Sequence, residues 1–253
     1  MKALILAAGR GDRLSECSNG HNKCMMRLFG KPLVQYSLEN AVQAGVDEIV
    51  MVVGYQIEEI INVFGNRFDN VRIRYVVQSN AKGVVDAIDR SRPAVGDSDF
   101  MLFLADEILR NPRHGEMLGK FHAENLFVVC GVVDEPDLNQ IRKTYAVIQS
   151  DDQRVYRLIE KPRNPHNNIR GTGNCIFSSK IFDYIPWTPI NQSRGEKELP
   201  DLIQCAIDDG HLVKSFWIGN DYININTADD ILRVETTYQA KAEWVEDYSS
   251  VAL

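Results

Sequence analysis

The 253-residue chain is poor in the features that mark specialised protein classes. Its cysteines, Cys17, Cys24, Cys130, Cys175 and Cys205, are odd in number, widely spaced and form no Cys-x-x-Cys pair. That argues against a disulfide framework and leaves reduced, structural thiols as the expectation. Positive charge is also scarce, with 28 Lys and Arg against 35 Asp and Glu and a formal net charge of -7. Binding a phosphate backbone needs a surplus of cations on one face, so nucleic acid and anionic membranes are not expected partners. A single nucleotide stays compatible, because a few cations around one pocket can hold it whatever the global charge. The apolar start, Met1 to Ala8, is cut short by Gly9-Arg10-Gly11-Asp12-Arg13 and is too brief for a signal peptide. No apolar run reaches the length of a membrane span, and a cytoplasmic protein is expected. Internal repeats, low-complexity tracts and Pro/Gly/Ser-rich linkers are lacking as well.

What remains is an ordinary globular composition, 44% hydrophobic and 25% charged. The expected organisation is one α/β domain over residues 1–240, followed by a helix end and tail over 241–253.

Short aliphatic and β-branched runs at Ala3 to Leu6, Glu48 to Val53, Val71 to Val77 and Phe100 to Leu104 predict buried strands. Helical patterns lie between and after them: Pro32 to Ala44, Gln56 to Phe64, Val84 to Ser91 and Pro112 to Glu124. The alternation implies βαβ units and parallel pairing. The second half changes character, with strands expected at Phe127 to Val133, Tyr145 to Gln149, Val155 to Ile159 and Asn174 to Phe177, then a helix at Glu196 to Asp209. A last strand pair, Val213 to Trp217 and Tyr222 to Ile225, leads to a helix from Ala228, where Thr227 and Asp230 have capping-box spacing. The predicted architecture is a three-layer α/β/α fold, Rossmann-like, around a mostly parallel, mixed central sheet.

The first strand runs into a glycine-containing loop, Leu6-Ala7-Ala8-Gly9-Arg10-Gly11-Asp12-Arg13-Leu14. Such a loop can aim backbone N–H groups at phosphate oxygens. It is not a dinucleotide fingerprint: Leu14 occupies the third glycine position, and Val53-Gly54-Tyr55 offers no acidic residue at the end of the second strand. Nor is it a P-loop, whose glycines stand four residues apart before Lys and Ser or Thr.

This segment, with Lys23 and Gly30-Lys31-Pro32-Leu33-Val34, resembles the signature region of the sugar-1-phosphate nucleotidyltransferases, typified by glucose-1-phosphate thymidylyl- and uridylyltransferases. Further blocks agree in order: Gln78 with Gly83 and Ala87, Leu104-Ala105-Asp106, Tyr145-Ala146-Val147, Glu160-Lys161-Pro162, Arg194-Gly195-Glu196, and Tyr222 through Thr227. The resemblance covers residues 1 to about 235. It implies transfer of a nucleotidyl group from an NTP to a sugar 1-phosphate, with Mg²⁺ as cofactor and the nucleotide sugar and pyrophosphate as products.

It also implies roles. Leu6, Ala8, Gly9 and Gly11 would contact the nucleotide, Arg13 the pyrophosphate end, and Lys23 the α-phosphate region. Gln78 and Gly83 would read the base. A side-chain amide can both donate and accept, which favours dTTP or UTP while leaving CTP or a purine open. Tyr145, Ala146 and Gly173 would line the sugar pocket, Glu160 would accept sugar hydroxyls, and Lys161, with Arg194, would meet the sugar phosphate.

The chemistry makes this set sensible. The two substrates bring roughly five or six negative charges together, so cations must first offset repulsion. The attacking phosphate monoester is already ionised at neutral pH, so alignment and charge stabilisation are the tasks left to the site.

Asp106 would ligate Mg²⁺ at the carboxyl end of its strand. The block that usually supplies a second aspartate carries Asn224 instead, one negative charge fewer, which predicts a raised Mg²⁺ requirement. Asn22 stands where proline is common, and Ala105 and Ala146 replace glycines, changes that suit a modified sugar or sugar-like phosphate. Two other readings compete: a non-catalytic, regulatory binding protein, and a glycosyltransferase using Asp97-Ser98-Asp99, which however lies before its strand. The base, the sugar and any homo-oligomer stay open.

Overall fold

A computed structural model describes residues 1–9, 22–80 and 82–239. In chain order its strands are β1 (Lys2–Ala7), β2 (Arg27–Leu28), β3 (Lys31–Pro32), β4 (Glu48–Val53), β5 (Arg67–Phe68), β6 (Val71–Val77), β7 (Phe100–Leu104), β8 (Glu107–Arg110), β9 (Val128–Asp134), β10 (Tyr145–Gln149), β11 (Val155–Glu160), β12 (Ile169–Phe177), β13 (Ile190–Asn191), β14 (Glu196–Lys197), β15 (Val213–Trp217) and β16 (Asp221–Asn224). The α-helices are α1 (Leu33–Gln43), α2 (Ile57–Phe64), α3 (Val84–Val95), α4 (His114–Ala123), α5 (Leu138–Ile141), α6 (Leu199–Asp208) and α7 (Ala228–Gln239).

The strand alternation of side chains builds two cores on one sheet. Leu4, Val50, Val52 and Leu102 point to one face, where Val85 and Ile88 of α3 and Leu202 and Ile203 of α6 cover them. Their neighbours Ala3, Ile5, Ile49, Met51 and Phe103 point to the other face, against Val34 and Leu38 of α1, Ile60 of α2 and Met117 of α4. Each large aliphatic side chain so buried contributes about 1.5–3 kcal/mol. The result is the predicted three-layer α/β/α arrangement.

The main sheet runs β11-β10-β12-β7-β1-β4-β6-β5, with β9 on the other edge of β12 and β15 beyond it. β7, β1, β4 and β6 are mutually parallel, and β9 and β15 pair in parallel too. β12 runs antiparallel to β7, β9 and β10, which makes the sheet mixed.

Several boundaries differ from expectation, each for a reason. β12 begins at Ile169 rather than Asn174. Its two glycines look like a turn, but Gly171 is there because a Cβ would lie 1.9 Å from the Tyr145 ring, and Gly173 because one would lie 2.3 Å from Leu104. α3 continues past Pro93 to Val95, because Ala94 and Val95 bury in the core. The helix expected from Glu196 starts only at Leu199, after Glu196 and Lys197 form half of a small hairpin. The last two strands do not pair with each other: β15 joins β9, while β16 forms a separate ladder with β8.

That β8–β16 ladder roofs a small third core of Ile108, Ile225, Ile231 and Tyr36 beside α7. At the start of α7 the Asp230 carboxylate accepts from Asn226 and Thr227 N–H at 2.9 Å, while Thr227 Oγ1 accepts from Asp230 N–H at 3.1 Å, the reciprocal pair of a capping box. Among the described residues no helix is long and apolar enough to cross a membrane.

Candidate active site

Parallel strands β1, β4, β6 and β7 end on one side of the sheet, and the candidate residues gather there. Leu6, one residue before the end of β1, has its carbonyl held by the Ala105 N–H at 3.1 Å. Ala8 is buried and Gly9 exposed, so the chain leaves the core at this point. Gly54, at the end of β4, lets the neighbouring loops approach: a Cβ there would lie 2.8 Å from the Ala8 carbonyl oxygen and 2.9 Å from that of Gln78. Gly11 and Arg13 lie outside the described residues.

Lys23 sits in a single helical turn capped by Asn22, whose side chain accepts from the Cys24 N–H. Asn22 is fully buried; its amide donates to the Tyr55 carbonyl at 2.6 Å and its oxygen accepts from Cys24 N–H at 2.8 Å. A proline could make neither contact through its side chain. Thus held, the Lys23 ammonium meets the Asp106 carboxylate at 2.6 Å. The expected phosphate cation and the expected metal ligand neutralise each other.

Gln78 follows β6 and is buried. Its Nε2 donates to Asp86 at 2.6 Å and to the Gly83 carbonyl at 3.4 Å. Burial alone would raise the Asp86 carboxyl, but Arg90 and Gln78 outweigh it and hold the group below its ordinary value. Asp86 is therefore an ionised, acceptor-only partner, which fixes the orientation of the Gln78 amide. Gln78 offers a ligand its carbonyl oxygen. Gly83, with φ +88°, precedes α3, and a Cβ there would lie 2.5 Å from a Glu196 oxygen.

Glu196 belongs to a charged cluster. Arg194 pairs with Glu160 at 3.3 Å, with Glu198 at 3.1 Å and with Glu196, and Lys161 pairs with Glu160 at 3.3 Å. Burial, with the nearby Glu198 adding to it, holds the Glu160 carboxyl above its usual value despite Lys161 and Arg194. Burial raises Glu198 as well, against Arg194. Lys161 adopts φ +42°, a left-handed conformation costing a side-chain-bearing residue about 1 kcal/mol or more.

The remaining residues expected on the sugar side are buried. Tyr145 packs over Gly171 and its hydroxyl donates to the Thr172 carbonyl at 2.7 Å; Ala146 is also inside. Gly173 N–H donates to the buried Glu107. Burial pushes the Glu107 carboxyl up to about 7, opposed by the Tyr222 hydroxyl. Asn224 stands opposite Glu107 in the β8–β16 ladder, and Ile225 N–H donates to the Asp106 carbonyl at 2.9 Å, so Asn224 is brought beside Asp106. Asp221 pairs instead with Arg110 at the far end of the ladder. Asp99 lies at the amino end of β7, where its carboxylate accepts from Ser179 N–H at 2.9 Å, away from these groups.

The pattern of the nucleotidyl transferase family matches residues 2–241. The chain belongs to this family. The low-salt glycan biosynthesis nucleotidyltransferase Agl11 of Haloferax volcanii is 31% identical over 235 residues, covering 92% of this chain and 64% of Agl11. The UTP-glucose-1-phosphate uridylyltransferase AglF of the same organism is 30% identical over 231 residues, covering 91% of this chain and 93% of AglF. The chain thus spans just under two thirds of one relative and nearly all of the other. A UDP-glucose pyrophosphorylase solved with UDP-glucose shares the fold, with a TM-score of 0.84 at 19% identity over 95% of this chain and 98% of that one.

Nucleotidyl transferases of this family generally depend on a divalent metal. In this nucleotidyl transferase the donor set is thin: among the described residues no group of three or more His, Cys, Asp or Glu is arranged to hold a metal ion. Asp106, its side chain 28% exposed, is a hard carboxylate at the mouth of the site, and the Asn224 amide oxygen accepts from Asn226 Nδ2 at 3.0 Å. One carboxylate and one amide oxygen fit a hard cation that takes its other ligands from substrate phosphates and water.

Sequence reasoning missed Asp86, Glu107 and Gly54. Asp86 had a local signal, an acid in the first turn of the helix after Gln78. The other two act across the sheet and had none.

Proposed function

We propose that this chain transfers a nucleotidyl group from UTP or dTTP to a sugar 1-phosphate or sugar-like phosphate, releasing pyrophosphate. The observation that carries the reading is Gln78. With its amide donors held by Asp86 at 2.6 Å, it presents an acceptor. At N3, uracil and thymine offer an N–H to such an acceptor, where cytosine presents a lone pair that it repels. The name of AglF, a UTP-glucose-1-phosphate uridylyltransferase, supports the same choice.

The phosphate of the sugar 1-phosphate attacks the α-phosphorus and pyrophosphate departs. No general base is needed, because the nucleophile is already ionised. Lys23 would turn from Asp106 to the α-phosphate, and Arg13 would grip the departing end. Lys161 would meet the sugar phosphate, while Glu160 accepts sugar hydroxyls. Arg194 reaches a phosphate only by giving up one of three carboxylates. Mg²⁺ would be held by Asp106 and Asn224 and would supply charge neutralisation on the phosphates.

A matrix of NTPs against sugar 1-phosphates with Mg²⁺, read by pyrophosphate release, tests this. Release is expected with UTP or dTTP and at least one hexose 1-phosphate. Nucleotide binding without release in any cell would instead identify a non-catalytic binding protein, and liberation of a nucleoside diphosphate from a nucleotide sugar would identify a glycosyltransferase.

A further inference from the structure

Glu107 follows the candidate metal ligand Asp106 directly and is 6% exposed. Its carboxylate is a junction rather than a bystander. One oxygen accepts from the Tyr222 hydroxyl at 2.5 Å and the other from Asn174 Nδ2 at 3.1 Å, while Gly173 N–H reaches both, at 3.1 and 2.8 Å. A buried carboxylate is costly unless hydrogen bonds satisfy it, and here these donors do.

The donors come from two segments that otherwise have no reason to keep register. Gly173 and Asn174 lie where the β12–β9 ladder loses register, between Gly171 and Cys175. There the strand's own hydrogen bonding lapses and the carboxylate replaces it. Tyr222 belongs to β16, the strand that ends at Asn224. Behind these contacts His114 Nε2 lies 2.9 Å from Asn174 Oδ1, and the Arg170 guanidinium lies 4.4 Å from the centre of the Tyr222 ring. The space for the carboxylate exists only because residue 173 is glycine: a Cβ there would come within 2.9 Å of Glu107 Oε2.

We propose that Glu107 is a positioning residue for nucleotidyl transfer, fixing the register irregularity of β12 at Gly173, and with it the sugar-phosphate end of the site, against Asp106 and β16. The proposal rests on the function given above. Supporting groups of this kind change rates by about 10- to 100-fold when removed, because small misplacements of reacting groups are costly.

The test measures kcat, the KM of the sugar phosphate, NTP affinity by calorimetry and the melting temperature for Glu107→Ala, Glu107→Gln and Tyr222→Phe. Glutamine can still accept from Gly173 and donate to the Tyr222 oxygen, so it should rescue. Expected for Glu107→Ala is a loss of about tenfold or more in kcat over KM for the sugar phosphate, NTP affinity within about twofold, and recovery of most of the loss in Glu107→Gln. If Glu107→Ala does not fold, Tyr222→Phe carries the test, with an expected rise of about threefold or more in the sugar-phosphate KM and unchanged NTP affinity. The proposal is overturned if these variants keep the parental sugar-phosphate kinetics, or if NTP affinity and sugar-phosphate kinetics decline together in step with melting temperature. A parent chain that releases no pyrophosphate with any substrate pair removes the functional reading and this proposal together. A parent that turns over while a folded Glu107→Ala variant matches it removes this proposal alone.

Discussion

The nucleotide side and the sugar side of the candidate site are built on opposite principles. On the nucleotide side few groups are used, and each is aimed by one or two partners: Lys23 by Asp106 and the Asn22 cap, Gln78 by Asp86 and the Gly83 carbonyl. On the sugar side three carboxylates share Arg194, and burial disfavours charge on two of them, Glu160 and Glu198. The first arrangement is preorganised for recognition, so it should discriminate among bases. The second holds electrostatic tension that a ligand can relieve, so it should trade stability for binding.

The largest effect is expected from Lys23→Ala, which removes the cation proposed to meet the α-phosphate and the ion-pair partner of Asp106. Turnover should drop by about 10²–10³ in pyrophosphate release, the range seen when one charge-stabilising donor is lost. Parental turnover in this variant would break the comparison at its root.

Next comes Asp86→Ala, which frees the Gln78 amide to flip. The preference for UTP over CTP, measured as a ratio of kcat/KM, should shrink by about tenfold, or about 1.4 kcal/mol. An unaltered ratio would mean that Gln78 does not read the base.

Asn224→Asp tests the junction of the two sides. Restoring a carboxylate beside Asp106 should lower the Mg²⁺ concentration for half-maximal activity by about fivefold. Identical Mg²⁺ dependence would remove residue 224 from the metal site.

The smallest effect should come from Glu160→Gln, and its sign is the informative part. Because the folded chain raises the Glu160 carboxyl, its contribution to stability is present below the ordinary value of 4.5 and is lost as pH rises through the raised folded value. At neutral pH the ligand-free variant should therefore melt above the parent, with the gap closing on acidification. Its sugar-phosphate KM should rise by about threefold, the loss of roughly one hydrogen bond. A lower melting temperature at neutral pH would show that the ion pairs, rather than the burial, dominate there.

Much of the first half was legible because a strand buried on both faces reads as a continuous aliphatic run, as in Glu48–Val53. The capping box at Thr227 was legible for a similar reason: both partners lie within one turn. β12 was half-hidden, since Gly171 and Gly173 carry no side-chain signal and their need arises from Tyr145 and Leu104 in other strands. The end of α3 was not legible either: the helix passes Ser91 and Pro93 to Val95, and the burial of Ala94 and Val95 offsets the local cost of carrying it through a proline.

The sequence by itself determined the alternation of elements, the family pattern and the kinds of groups available for phosphate chemistry, since these depend on composition and local spacing. Only the tertiary structure decided how those groups are aimed. Lys23 meets Asp106 across 83 residues, Gly173 meets Glu107 across 66, and Tyr222 meets Glu107 across 115. Hydrogen-bond direction and the satisfaction of a buried charge are properties of such distant pairs. Periodicity along one strand or helix carries no information about them.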